Sequence, residues 1–273
     1  MTLSGADIAQ LLSAHGLRPS KALGQNFVAD PNTVRRIARL ADAGAGSRVL
    51  EIGAGLGSLT LALAETGAQV LAVEADRHLV PVLRSVVEPV GVEVLEGDAM
   101  QLDLAGLLVA RDPGPWHLVS NLPYNVATPL VLNVLTGVPA VEHLLVMVQR
   151  EVGERMAAIP GDPAYGAVSV RVAYFARAEV AGRVPASVFL PRPRVESVLV
   201  RMAHLPAPAV DPALVSYERL DAVLRAGFGQ RRKMLRRSLA GVVEPDAFRR
   251  AGVRPDARAE ELDVAAWGRL AAQ

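Results

Sequence analysis

The sequence predicts an α/β fold: a doubly wound, mostly parallel sheet with helices on both faces, followed by a small all-helical domain. Three observations carry this. From residue 48 to about 203, short apolar runs alternate with amphipathic stretches, the rhythm of βαβ units. Beyond "HLPAPAVDP" (204–212) strand patterns stop and only helical ones continue, which places a boundary near 206 and domains at 1–205 and 206–273. The chain has 273 residues, 51% of them hydrophobic, enough for one full core plus an appendage.

The elements follow in order. Asp30 can cap a helix over residues 30–43, with Pro31 in its first turn and Val34, Ile37, Ala38, Leu40 and Ala41 on one stripe. "RVLEIGAG" (48–55), "QVLAVEAD" (69–76), "VEVLEGD" (92–98) and "WHLVSNLPY" (116–124) read as strands, with helices at 57–66 and 77–88. A helix near 128–136, a strand at 143–149, a helix at 150–158 and a strand at 195–203 extend the sheet to about seven strands, while "PGDPAYG" reads as loop. No internal repeat or low-complexity tract is visible.

Composition narrows the function classes. A formal charge of +1 means that attraction to nucleic acid depends on where the cations sit. With no cysteine, the chain holds no disulfide, thiol nucleophile or thiolate metal site. The five histidines fall in no ligand spacing, so no metal site is expected. The first 20 residues lack a basic segment followed by an apolar core, and no apolar run approaches the roughly 20 residues of a membrane span. These features lead to the expectation of a cytoplasmic protein without membrane contact.

"LEIGAGLGSLT" places Gly53, Gly55 and Gly57 between the first strand and a helix, where a missing side chain lets a ligand approach the backbone. A dinucleotide fingerprint would have glycine or alanine at position 58, which is Ser58, and this disfavours an NAD oxidoreductase. Glu74 ends the second strand about twenty residues on, where a carboxylate can accept ribose hydroxyls, and Asp98 ends the third, able to accept from an adenine amino group. Acceptors for ribose and adenine without a cationic cradle for phosphates suit S-adenosylmethionine.

"SNLPY" explains what such a cofactor would serve. Proline at 123 pushes Leu122 into an extended conformation and turns its carbonyl out of the ladder. With the side-chain oxygen of Asn121, that carbonyl can accept both hydrogens of an exocyclic amine, and Tyr124 offers a π-face for the base, worth about 1–3 kcal/mol. Asn121, Leu122, Pro123 and Tyr124 are therefore candidate catalytic residues in which positioning does the work. A plain Pro-containing turn beside a core tyrosine is the alternative.

"EIGAGLG", "VEAD", "GDAM" and "NLPY" in this order, together with "KALGQNF", "QREVGERM", "AYGAVSV", "VFLPRPRVESVLVR" and "FGQRRKMLRRSL", closely resemble the small-subunit ribosomal RNA adenine dimethyltransferases, the KsgA/RsmA family. The resemblance runs nearly end to end. It implies the Rossmann-like seven-stranded sheet of S-adenosylmethionine-dependent methyltransferases. It also implies cofactor contacts from Asn26 and Val28 beside Gly53, Gly55, Glu74, Asp98 and Asn121, and an aromatic wall from Phe189 facing Tyr124. The implied reaction methylates N6 of two adjacent adenosines in the 3′-terminal hairpin loop of small-subunit (16S) rRNA, within an assembling subunit, by a monomer. A loop adenosine leaves its stack more easily than one in a duplex. Ala54 stands where proline is frequent, Val28 where leucine is, and the basic cluster before "GQNF" is thinned to Lys21.

"RAGFGQRRKMLRRSL" crowds Arg225, Arg231, Arg232, Lys233, Arg236 and Arg237 without an acid. Like charges at helical spacing repel, and phosphates would neutralise them, so the last five are candidate RNA-binding residues of a ribosome-docking domain. Two readings compete: a large-subunit (23S) rRNA adenine methyltransferase with the same motifs, and an assembly or RNA-binding factor that methylates incidentally.

Overall fold

The computed structural model describes residues 2–20, 23–230 and 232–273. Among them are nine strands: β1 (Phe27–Val28), β2 (Arg48–Ile52), β3 (Gln69–Glu74), β4 (Glu93–Glu96), β5 (Trp116–Asn121), β6 (Val141–Gln149), β7 (Ala176–Val184), β8 (Phe189–Leu190) and β9 (Ser197–His204). The helices up to the last strand are α1 (Gly5–Ala14), α2 (Pro31–Leu40), α3 (Ser58–Ala64), α4 (Val80–Val87), α5 (Leu104–Arg111), α6 (Ala127–Gly137), α7 (Arg150–Ala157) and α8 (Ala167–Phe175). They are followed by α9 (Tyr217–Gly229), α10 (Leu235–Ser238), α11 (Pro245–Ala251) and α12 (Val264–Ala271).

Seven strands form one sheet in the order β4-β3-β2-β5-β6-β9-β7, with β2 to β6 parallel and β9 antiparallel to β6. The expected doubly wound sheet is thus present. The central strands β2, β3, β5 and β6 are buried along most of their length, as Val49, Leu50, Leu71, Ala72, Leu118 and Val146 illustrate, which is why they read as continuous apolar runs. Asp30 caps α2 as anticipated, accepting from the N–H groups of Asn32 and Thr33, and Val34, Ile37 and Ala38 are buried. The sequence reading named six of the seven strands. The seventh is β7, which carries Arg177, Glu179 and Arg183 and sits at the sheet edge, so it lacks the apolar run that marks a central strand. Helices α1, α5 and α8 were likewise not anticipated.

Two compact units divide the chain, Met1–Gly153 with Val180–Ala203, and Glu154–Glu179 with His204–Gln273. The second return at His204 lies two residues from the anticipated boundary. Residues 154–179, expected in the first domain, count with the second. The second unit is mostly helical and has its own core, in which Trp267, Leu220, Val223, Leu224, Leu235 and Tyr165 are buried. Among the described residues no helix is long and apolar enough to cross a membrane.

Candidate functional site

The strand order reverses between β2 and β5, because β3 and β4 lie on one side of β2 while β6 lies beyond β5. In such sheets the two strands diverge at their carboxyl ends and leave a crevice. The paired register of β2 and β5 runs from Arg48↔Trp116 to Leu50↔Leu118. Past it, the Ile52 N–H donates to the buried Ser120 hydroxyl at 2.8 Å, so a side chain takes over where the ladder stops. Just beyond lies a cavity of about 220 Å³ lined by residues of the glycine loop, the ends of β3, β4 and β5, and the segment 23–28.

The glycine loop is left-handed at Gly53 (φ 77°), Gly55 (φ 61°) and Gly57 (φ 90°), which L side chains rarely adopt. Gly53 and Gly55 line the cavity. Gly57 instead packs on α4: a Cβ there would lie 2.6 Å from Val87. Glu74, 7% exposed, holds this loop by accepting from the Gly55 N–H at 2.7 Å and the Asp76 N–H at 2.9 Å. Burial raises its pKa, and those two amides oppose the rise. A carboxylate has about four lone-pair positions, so both oxygens keep acceptor capacity. Asp98 also lines the cavity, but on an exposed turn where it accepts from the Met100 N–H and the Gln101 amide.

The acceptor corner is built from both sides. Leu122 is buried and its N–H donates to the Met147 carbonyl on β6, which sets where its own carbonyl goes. The Asn121 Nδ2 donates to the Asn26 carbonyl at 3.0 Å, which leaves the Oδ1 as the unpartnered end of the amide among the described residues. Asn26 in turn donates from its own Nδ2 to the Gly24 carbonyl. The segment carrying Asn26 and Val28 is held across the crevice by β1 pairing antiparallel with β8, as Phe27↔Leu190 and Val28↔Phe189, and by Gln25 donating to Asp76 at 2.8 Å. Tyr124 is half-buried, lines the cavity, and shares a 2.7 Å hydrogen bond with Ser197. Burial raises its pKa, so it is a neutral phenol.

The cavity thus gathers Asn26, Val28, Gly53, Gly55, Glu74, Asp98, Asn121, Leu122, Pro123 and Tyr124. It does not gather Phe189, which is 4% exposed, belongs to the hydrophobic core with Val28, and is not part of the cavity wall. The basic run also differs from the anticipated helix. α9 ends at Gly229, α10 begins only at Leu235, and Arg225 forms an ion pair with Asp221 one turn upstream, so the five described cations do not share one helix face. Arg232, Lys233, Arg236 and Arg237 are exposed, with Leu235 and Leu239 buried between and beside them, and Arg231 lies outside the described residues.

Two cavity residues escaped the sequence reading. Glu51, 2% exposed on β2, has an Oε2 with no hydrogen-bond partner, and burial pushes its pKa up to about 8, with the Glu74 charge adding to the rise. Ser58, 6% exposed at the start of α3, has an unpartnered hydroxyl. A charged residue type inside the otherwise apolar "RVLEI" was the available signal for the first. Orphaned buried polar atoms beside Glu74 fit a ligand that brings hydroxyl and amino groups of its own, as S-adenosylmethionine does.

A family model described as ribosomal RNA adenine dimethylase matches residues 16–272. Ribosomal RNA small subunit methyltransferase A of Thermobifida fusca (strain YX) is 45% identical over 280 residues, covering 98% of this chain and 95% of that protein. The protein of the same name from Kineococcus radiotolerans is 46% identical, covering 99% and 91%. Among solved structures, the 23S rRNA methyltransferase ErmE aligns with a TM-score of 0.70 at 26% identity, covering 90% of this chain and 98% of that one. A dimethyladenosine transferase from Plasmodium falciparum aligns with a TM-score of 0.73 at 24% identity, covering 88% and 94%.

Proposed function

The chain belongs to the ribosomal RNA adenine dimethylase family, and on that premise we propose how its cavity serves the reaction. It is an S-adenosylmethionine-dependent methyltransferase that dimethylates adenosines of small-subunit rRNA. When bound, S-adenosylmethionine supplies an electrophilic methyl group. Glu74 and Asp98 would accept from its ribose and adenine, the bend at Gly53 and Gly55 would let it approach the protein backbone, and Asn26 and Val28 would hold it from the segment that β1 anchors.

The observation that carries the reading is the fixed amide of Asn121. With its Nδ2 committed to Asn26, the remaining oxygen is an acceptor, and an adenine N6 amine offers donors. The Leu122 carbonyl takes the second hydrogen. Drawing both N–H bonds away from the ring plane frees the nitrogen lone pair for attack, and the proton leaves to solvent after transfer. No side chain of special pKa is required, and positioning supplies the rate. The ring of Tyr124 stacks on the base.

In the finer reading the target is two adjacent adenosines in the 3′-terminal hairpin loop, met by a monomer on an assembling subunit. The exposed cations Arg232, Lys233, Arg236 and Arg237 of the helical unit hold rRNA phosphates, and that unit serves as the docking domain. The 45% identity to small-subunit enzymes, against 26% to a 23S enzyme, favours this over the large-subunit alternative. Incubation with labelled S-adenosylmethionine and unmethylated small subunits, followed by mapping of the label, tests it. Label confined to 23S rRNA, or none in either subunit, would overturn the reading.

A further inference from the structure

Ser197 opens β9 and is 0% exposed, with its Cα paired to Gln149 on β6 and Val198, Leu199 and Val200 following it into the core. A hydroxyl buried there without a partner would be costly, since it loses water and gains nothing. Its partner among the described residues is the phenol of Tyr124, 73 positions away, at 2.7 Å. Tyr124 itself sits on the turn between β5 and α6, not on a regular element. Its Oη, at the far end of the ring, is therefore tied to the sheet while its Cα rides on a turn.

From this geometry we infer that Ser197 is a positioning residue for methyl transfer, holding the Tyr124 ring in the plane against which the target adenine stacks. The inference rests on the proposed base pocket. A ring held at both ends cannot swing about its side-chain torsions, so its π-face is presented in one orientation when the base enters. Ser197 itself is not part of the cavity wall. Loss of the bond leaves the stacking surface present but unaimed, which lowers the rate of transfer and spares cofactor affinity.

The test is a double-mutant cycle on single-turnover methyl transfer to unmethylated small subunits, using Tyr124→Phe, Ser197→Ala and the pair. S-adenosylhomocysteine affinity and melting temperature are measured alongside. Each single change is expected to slow transfer about five- to tenfold, the scale of one uncharged hydrogen bond. The pair should be no slower than the slower single variant, because both remove the same link. Cofactor affinity should stay unchanged in all three.

Multiplicative losses in the pair, or wild-type rates in both singles, overturn the inference, as does a loss traced wholly to cofactor affinity. Tyr124→Phe removes one oxygen and leaves the ring in place, so if Ser197→Ala does not fold, a wild-type rate in Tyr124→Phe alone is also decisive against it. Tyr124→Ala separates the two layers. Undiminished transfer in that variant removes the base pocket itself, whereas slow transfer there with normal rates in Tyr124→Phe and Ser197→Ala removes only the role of Ser197.

Discussion

Replacing Glu51 by Gln should flatten part of the pH dependence of stability in the first compact unit. Burial pushes this carboxyl from 4.5 to about 8, so the folded protein keeps a proton that the unfolded chain releases above 4.5. A raised acid stabilises the fold least where the unfolded chain has ionised. The contribution of Glu51 is most favourable below 4.5, declines as pH rises, and levels off above about 8. The interval of roughly 3.5 pH units corresponds to at most about 5 kcal/mol, with a limiting slope of about 1.4 kcal/mol per unit. Gln matches the protonated acid in shape and does not titrate. In the absence of cofactor, the stability of Glu51→Gln relative to the original chain should therefore improve by about 1 kcal/mol per unit between pH 5.5 and 7.5. Urea unfolding read by hydrogen exchange in the peptide spanning β2 reports on the unit that holds Glu51. A difference independent of pH over that range would show that Glu51 ionises normally in the folded chain and would refute the reasoning.

Glu74→Ala should weaken S-adenosylhomocysteine binding by about 1–3 kcal/mol, since it removes a ligand acceptor and also orphans the amides of Gly55 and Asp76. Asp98→Ala, on an exposed turn, should weaken it by less; calorimetry with both variants checks the order, and equal affinities to the original chain would place the cofactor elsewhere. Phe189→Ala should lower stability by about 3–5 kcal/mol, the scale of emptying an aromatic site in a core, and denaturant unfolding measures it. A neutral result would mean that the ring is free to leave the core. Replacing Arg232 and Arg236 by Gln should lower the salt slope of rRNA binding by about one to two while leaving S-adenosylhomocysteine affinity alone, and identical slopes at several salt concentrations would detach these arginines from phosphate.

Much of the cavity lining was legible because its residues obey a local rule. Glu74 and Asp98 end parallel strands, and in doubly wound sheets those ends face the ligand. Asn121 and Leu122 were legible for a similar reason, with Pro123 marking where the strand lets go. What escaped depends on contacts far apart in the chain. The segment with Asn26 and Val28 is placed by pairing with residues 189–190, and no pattern within "GQNFV" announces that. Phe189 was expected at the pocket wall only through the family resemblance; from its residue type alone a core position is the plainer reading, and the packing places it there. α8 was missed because "AVSVRVAYF" is rich in β-branched residues. Its start is held by the Gly166 N–H donating to Ser169, whose hydroxyl donates to the Arg155 carbonyl. Charge spacing alone did not show that the run is broken after Gly229, nor that Asp221, outside the quoted stretch, pairs with Arg225.

The interrupted course of the chain has a practical consequence for anyone dissecting the protein. Tyr165, Val170 and Tyr174 precede the last two strands of the sheet, yet they are buried in one core with Leu220, Val223 and Leu224. Cutting at residue 205 would leave these three side chains on a catalytic fragment stripped of those C-terminal core partners, with freshly exposed apolar surface inviting aggregation. The complementary fragment, 206–273, would lack two tyrosines and a valine from its own interior. Neither piece is a natural module. Loss of activity in a C-terminal truncation would therefore report on solubility as much as on ribosome docking, and point substitutions at Arg232 and Arg236 in the full chain are the cleaner instrument for the second question.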